Sequence, residues 1–364
     1  MLNADPALLQ ALREHHVGGV RAQAFYLGKP TADVTLAPGA SLRFSGDAEV
    51  QATGSVTAVG QAPSLVPRAK TDPLATYGQE LAIWRTVETT VGSWEIPLGR
   101  YRITDAGPSQ EYMETYNGEL HVRAWEVGLK LSDRFEAIRA DDFLEAESPR
   151  IGNSVWAEIQ RLSRFPVQRK GGDTTVPAAT VYDSRLGAIR TLAGLLNGAP
   201  HLTREGVLTI RDKDAWMTQT WVDFDIPGVI DWDESMSNDF YNQVQATSSN
   251  NNQLVAFARI TDLSNPLAIG NAGGRTLKYS SPVLDTPQAV QEAAQTILTR
   301  VSTRRSRIVT VTAGPEALLL ELGDFGWVRD PRTGRAALGE VTSMSVPLSG
   351  VEGVEIALIV AEES

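Results

Sequence analysis

Few residues in this chain have types and spacings that could do chemistry. The four histidines are His15, His16, His121 and His201. None falls in a metalloprotease spacing, and no GxSxG elbow exists for one to serve. His15 and His16 are neighbours at a predicted helix end, where adjacent side chains diverge, so both read as solvated surface. His121 alternates with Val122 in a predicted strand and reads as structural. There is no phosphate-cradling GxxxxGK[ST] and no GxGxxG after a strand; Gly270-Asn271-Ala272-Gly273-Gly274 reads as a loop. With zero cysteines, a thiol nucleophile, a disulfide framework and every Cys-based metal site are excluded. The one acidic pair at a strand end is Asp231 and Asp233, in Val229-Ile230-Asp231-Trp232-Asp233-Glu234-Ser235. A cell-wall hydrolase would need two carboxylates roughly 5 to 10 Å apart across a groove. With 44 acidic residues, that requirement discriminates nothing. Trp84, Trp94, Trp125, Trp156, Trp216, Trp221, Trp232 and Trp327 could stack on sugars, but such residues more often anchor cores or interfaces. No catalytic, cofactor-binding or metal-ligating set is expected.

The segment from Val229 to Ser235 resembles the start of a haloacid-dehalogenase phosphatase. That resemblance implies attack on phosphorus by Asp231, handling of the leaving group by Asp233, and a later magnesium motif at Gly323-Asp324. The chain departs from the pattern in three places. Pro227-Gly228 interrupts the preceding strand, Glu234-Ser235 is not the usual small or β-branched follow-on, and the flanks lack β-α-β alternation. An acidic turn at a strand end accounts for the same residues.

The elements around these residues define a folded, mostly β protein. At 364 residues, 42% hydrophobic and 21% charged, the chain can bury two or three cores. Its net charge of −11 argues against tight nucleic-acid binding, which needs a basic face. Arg304-Arg305-Ser306-Arg307 and Arg164 to Lys170 read as a solvated helix end and a loop edge. Acidity would instead suit a surface along which DNA slides. The N-terminus reads as lacking a secretory signal, and no stretch reaches the roughly 18 apolar residues of a membrane helix.

Residues 7 to 16 can form a short helix, and Val20 to Leu131 reads as strands and turns. Val34 to Leu36, Leu42 to Phe44, Glu49 to Ala52, Gly54 to Val59, Leu81 to Val87, Trp94 to Pro97, Gly99 to Thr104 and Leu120 to Val127 are the β segments. Pro63 to Pro73 reads as an extended loop. Helices follow at Ser154 to Ser163 and Arg185 to Leu196, then a hairpin around Arg204-Glu205-Gly206. After Trp221 the chain returns to β. Asp285-Thr286-Pro287-Gln288 starts a helix with Val290, Ala293, Ala294, Ile297, Leu298 and Val301 on one stripe. That helix is expected to pack on a small antiparallel barrel made from Ile308 to Val311, Phe325 to Val328 and two strands ending at Val360. The expected fold class is α+β, mostly β: two barrel-like antiparallel tube modules with a helical or mixed middle. The units read as an N-terminal arm (1–18), a first β module (19–134), a helical or mixed middle (135–214) and a second β module (215–364) with one helix (286–302).

The order of these pieces resembles the baseplate-hub or tail-hub proteins of tailed bacteriophages, including minor tail proteins of phages that infect actinobacteria. The likeness is carried by Leu74 to Arg85, Glu95 to Ile103, Leu120 to Asp133, Gly206 to Ile210, Asn242 to Ala246, Thr286 to Ala289 and Leu322-Gly323-Asp324. It covers roughly residues 20 to 360. The resemblance implies a homotrimeric ring whose six tube modules adapt a six-fold tail tube to a three-fold tip, with no enzymatic turnover. It further implies a distal tail or tail tube protein, a tape measure protein and a tip or receptor-binding protein as partners. DNA would pass without specific binding. The location implied is the virion tail tip, after assembly in the host cytoplasm. The hub of a contractile injection device is the alternative within the same likeness. The pattern ends near Ser364 without the lysin or fibre domains of larger relatives, which puts wall hydrolysis by this chain in doubt.

Overall fold

The structure is a computed structural model that describes residues 2, 4–14, 16–90, 92–212, 219–231, 240–251, 253–302, 306–349 and 353–361. Helix α1 (Pro6–Arg13) starts where the Asp5 carboxylate accepts the Ala7 N–H, and it buries Leu8, Ala11 and Leu12. Seven strands follow: β1 (Val17–Tyr26), β2 (Lys29–Leu36), β3 (Ser41–Ser45), β4 (Ala52–Gly60), β5 (Glu80–Glu88), β6 (Ser93–Tyr116) and β7 (Glu119–Ser132). Six of them run in the order β4-β2-β1-β5-β6-β7, and pairing of β4 with β7 closes them into a barrel. Alternation sets the inside. Val56, Ala58, Val127, Leu129 and Leu131 point into the core, while Thr53, Ser55 and Lys130 point out. Each buried Leu or Val side chain contributes about 1.5–3 kcal/mol.

The second closed set comprises β10 (Phe224–Asp231), β14 (Ser306–Ala313), β15 (Phe325–Arg329), β16 (Ala336–Pro347) and β17 (Val354–Ala361), in the order β15-β10-β14-β17-β16 and closed by β15 with β16. Strand β3 belongs to neither barrel. It pairs with β4 on one side and β16 on the other, so one sheet runs unbroken from barrel to barrel. Apolar residues of both barrels form one continuous core. Gly326 permits the parallel β10–β15 pairing, because a Cβ there would lie 2.2 Å from the Phe224 carbonyl oxygen.

Two inserts have cores of their own. Between β7 and β10, helices α2 (Arg134–Ala140), α3 (Val155–Ser163) and α4 (Arg185–Leu195) pack with the hairpin β8 (Gly198–Leu202) and β9 (Leu208–Asp212) around Phe135, Ile159, Leu192 and Leu208. Asp133, Ser154 and Ser184 cap the three helices. Between β10 and β14, strands β11 (Gln243–Ser248), β12 (Val255–Arg259) and β13 (Thr276–Ser281) form a separate sheet, with a one-turn helix α5 (Ile269–Ala272) and the long helix α6 (Pro287–Ser302).

Several expectations are corrected. The stripe Val290, Ala294 and Leu298 does bury, but against Val244, Ala246, Ala256 and Ala258 of the three-stranded sheet rather than against a barrel. Amphipathicity fixes that a helix needs a partner, not which partner. Gly270 to Gly274 contains helix α5 rather than loop alone. Glu49 and Val50 bend ahead of β4 instead of belonging to a strand. Strand β6 does not stop near Thr104. It passes Gly107-Pro108 through a bulge and continues with β7 as a ribbon beyond the barrel.

Candidate functional site: the junction and the shared sheet face

Two features connect the modules, and the first is a buried polar junction. Glu80 at the start of β5 accepts hydrogen bonds from Arg134 Nε (2.9 Å) and Nη2 (3.0 Å) in α2, and from Arg100 Nε (2.6 Å) in β6. Burial works to raise the Glu80 carboxyl, but Arg134 and Arg100 outweigh it and hold the group below its ordinary value. Arg134 Nη1 continues to the Gly206 carbonyl at 2.8 Å in the β8–β9 turn, and its guanidinium stacks on Phe165. Arg204, in the same turn, donates to the carbonyls of Leu98 in the first barrel (2.9 Å) and Leu320 beside the second (2.7 Å). Its guanidinium lies over Phe44 of the bridging strand β3. One side chain thus touches both barrels and the strand between them.

Asp133 accepts the N–H groups of Ala52 (2.6 Å) and Phe135 (2.9 Å), tying the end of β7 to the start of β4. Burial pushes its carboxyl up to about 7, against the pull of these backbone donors. Asp133, His201, Arg204 and Glu321 line a small cavity of about 30 Å³ at the junction. His201 Nε2 lies 3.7 Å from Glu321 Oε1. Burial works to raise Glu321, and His201 and Arg204 more than offset it.

The second feature is the outward face of the continuous sheet. Register places Ser132, Thr53, Arg43, Ser345, Glu355, Thr312 and Val229 in one transverse row across β7, β4, β3, β16, β17, β14 and β10. The row below it runs Ser45, Ser343, Ala357, Thr310, Asp231. Above it lie Lys130, Ser55, Ser41 and Pro347. Small hydroxyl side chains dominate the face. Its charges are sparse and largely balanced: Lys130 pairs with Asp105 at 2.8 Å, and Arg43 shares its row with Glu355. Because every pair across the seven strands is antiparallel, β7 and β10 both end, and β14 begins, at one end of the barrels. Both inserts therefore leave from that end, and the β6–β7 ribbon projects from the other.

The phosphatase reading does not fit this geometry. Asp231 is exposed at the end of β10, and Asp233 lies outside the described residues. Asp324 precedes β15, which pairs parallel to β10 with Phe224 opposite Gly326. By that register Asp231 and Asp324 are nine positions apart, about 30 Å along the strand direction. Burial pushes the Asp324 carboxyl up, and its oxygen accepts the Glu321 N–H at 2.6 Å. Pro227 sits in β10 itself, where it pairs opposite Arg329.

The described tryptophans form no sugar platform. Trp125 and Trp156 are buried with their N–H groups on the carbonyls of Gln61 and Gly172, Trp84 packs under Arg21, and Trp221 is exposed. Trp216 and Trp232 lie outside the described residues, as do His15, Arg304 and Arg305. His16 Nδ1 contacts the Glu14 carbonyl. His121 is not a packed structural residue; it is exposed on the ribbon, 3.8 Å from Glu119. Arg164 ends α3 and pairs with Asp141 at the surface. No group of three His, Asp or Glu side chains suited to a metal occurs among the described residues. No helix among them is long and apolar enough to cross a membrane. The junction residues were not legible in advance, because Glu80–Arg134 and Arg204–Leu320 join positions 54 and 116 apart.

The architecture defined by these features is a mostly β, two-barrel α+β fold with two mixed inserts. No protein-family model matches the chain, and no curated protein matches it. Solved structures do. A tail protein from Neisseria meningitidis MC58 superposes with a TM-score of 0.57 at 14% identity, covering 95% of this chain and 97% of that one. The 43 kDa tail protein of prophage MuSo2 from Shewanella oneidensis gives 0.53 at 11% identity, covering 95% and 98%. The chain thus has the fold of phage tail proteins over nearly its whole length.

Proposed function

We propose that this chain is the structural hub of a phage tail tip or baseplate. Three copies close into a ring that adapts a six-fold tail tube to a three-fold tip, and the ring's channel passes the tape measure protein and DNA. The observation that carries this reading is the shared sheet face. Two closed barrels within one chain are joined by β3 into a single outward surface, so three copies supply six barrels around an axis. Small hydroxyl side chains with balanced charge suit a wall along which a polyanion slides without being held. The net charge of −11 acts in the same direction. The junction through Arg204, Arg134 and Glu80 would fix the angle between the barrels and hence the number of copies that close. The role is one of architecture without turnover, in the virion tail tip after assembly in the host cytoplasm. A distal tail or tube protein lies on one side of the ring and a tip or receptor-binding protein on the other.

Light scattering and negative-stain electron microscopy of the purified chain test this. The expected result is a three-copy particle with three-fold symmetry and a central channel. A stable monomer across the accessible concentration range, without rings, would overturn the reading.

A further inference from the structure

The three-stranded sheet of the second insert is covered by a helix on one side only. Val244, Ala246, Ala256 and Ala258 face helix α6. The other face is therefore built from three rows: Val255-Thr247-Ser280, Phe257-Gln245-Lys278 and Arg259-Gln243-Thr276. The β12 and β13 members of these rows are exposed, Phe257 to 53% and Val255 to 38%. The face carries two cations, Arg259 and Lys278, and no carboxylate, in a chain of net charge −11. The Arg259 guanidinium lies 5.6 Å from the Phe257 ring centre and pairs with no acid among the described residues.

Strand β12 is also an edge of that sheet. The Ser248 N–H donates to the Leu254 carbonyl and the Ile260 N–H to the Asn242 carbonyl, both at 3.0 Å. Alternation along an antiparallel pair then aims the backbone groups of Ala256 and Ala258 at β11, and those of Val255, Phe257 and Arg259 away from it. None of these outward N–H and C=O groups has a partner among the described residues. Sheet edges are commonly guarded by a central lysine, a proline or a bulge. The opposite edge, β13, carries Lys278 within the strand, whereas β12 has no proline, keeps unbroken register with β11 and holds its one charge at its last residue. We infer that β12 takes up an extended segment of a partner protein as an added antiparallel strand. Segment residues opposite Val255, Phe257 and Arg259 exchange both backbone bonds with them and share their face. That placement sets the chemistry of the segment, read from its N-terminus: an acidic residue against Arg259, then apolar or aromatic residues at alternate positions against Phe257 and Val255. The edge belongs to the insert alone, so the contact does not depend on how copies of the chain assemble.

The probe is the fluorescein-labelled peptide Gly-Glu-Thr-Tyr-Thr-Val-Gly, and its anisotropy in the presence of the whole chain reads binding. Saturation is expected below about 1 mM. N-methylation of the peptide's tyrosine removes the donor to the Phe257 carbonyl, leaves the protein unaltered, and is expected to abolish binding. Arg259→Glu is expected to weaken binding about tenfold with circular dichroism unchanged, and a peptide with lysine in place of glutamate to recover it. No binding up to about 1 mM would overturn the inference. Binding indifferent to N-methylation would overturn strand addition. Concentration-dependent dimers of the chain that Phe257→Glu dissolves would assign the edge to a second copy and overturn the partner segment.

Discussion

Replacing Glu80 with glutamine keeps the shape of the side chain and removes the charge that two guanidiniums share. The Glu80 and Arg134 side chains are each 10% exposed and that of Arg100 is 19%, so the pair is nearly but not fully desolvated. Breaking a fully buried pair costs about 3–5 kcal/mol, chiefly because the remaining charge is left without a partner. The wetter Arg100 and the amide's residual hydrogen bonds reduce this to about 2–4 kcal/mol. Denaturant unfolding at pH 7 of the parent, Glu80→Gln, Arg134→Met and the double variant measures it. The double variant should recover part of the loss, because methionine leaves no orphaned guanidinium. The pH dependence has a definite sign. The folded carboxyl lies below its ordinary value of 4.5, so its stabilisation is fully present above 4.5 and is lost as pH falls further. Glu80→Gln should therefore lose less stability in acid than the parent. A Glu80→Gln variant within about 0.5 kcal/mol of the parent at pH 7, or strict additivity in the cycle, would refute the reasoning.

Other perturbations probe the remaining connections. Gly326→Ala should cost about 2 kcal/mol or more, since its Cβ meets the Phe224 backbone, which cannot swing aside; near-parent stability would show that β10 and β15 can part freely. Leu298→Ala should cost about 2–4 kcal/mol within the insert and raise proteolytic cleavage between residues 240 and 302, while the barrel transition stays in place. Asp330 caps the turn before β16, accepting the Arg332 N–H at 2.8 Å and the Ile230 N–H at 3.4 Å. Its contact with Arg332 lowers its carboxyl to about 2, so its stabilisation, present above 3.8, fades as pH falls through 2. Asp330→Asn should flatten thermal stability over that window, and an unchanged acid profile would count against the assignment.

Local physics made much of the fold legible in the residue order. Ser154 announces a helix start, and Val155, Ile159 and Leu162 recur at the spacing of a buried stripe, whereas the short helix α2 capped by Asp133 went unread behind the strand that runs into it. Alternation in Leu81 to Val87 and Leu120 to Val127 marks strands, because a half-buried strand must turn every second side chain to the core. These signals act over a few residues, so short windows contain them. They also established the absence of thiol chemistry and the excess negative charge, which depend on composition alone.

Which surfaces those elements share depended on long-range pairing. The stripe of Val290, Ala294 and Leu298 is visible in the sequence, yet three nearby alanines and a valine outside the barrels take it up. Arg204 reads as a turn residue until folding brings Leu98, Leu320 and Phe44 around its guanidinium. Thr53, Arg43, Ser345 and Thr312 look like ordinary exposed strand residues until register lines them up across the two barrels. The sequence by itself determined the elements, the mostly β class and the kinds of chemistry excluded. The tertiary structure alone decided that β3 fuses two barrels into one face and that a buried arginine cluster holds them, because hydrogen-bond register and desolvated ion pairs are properties of segments brought together from far along the chain.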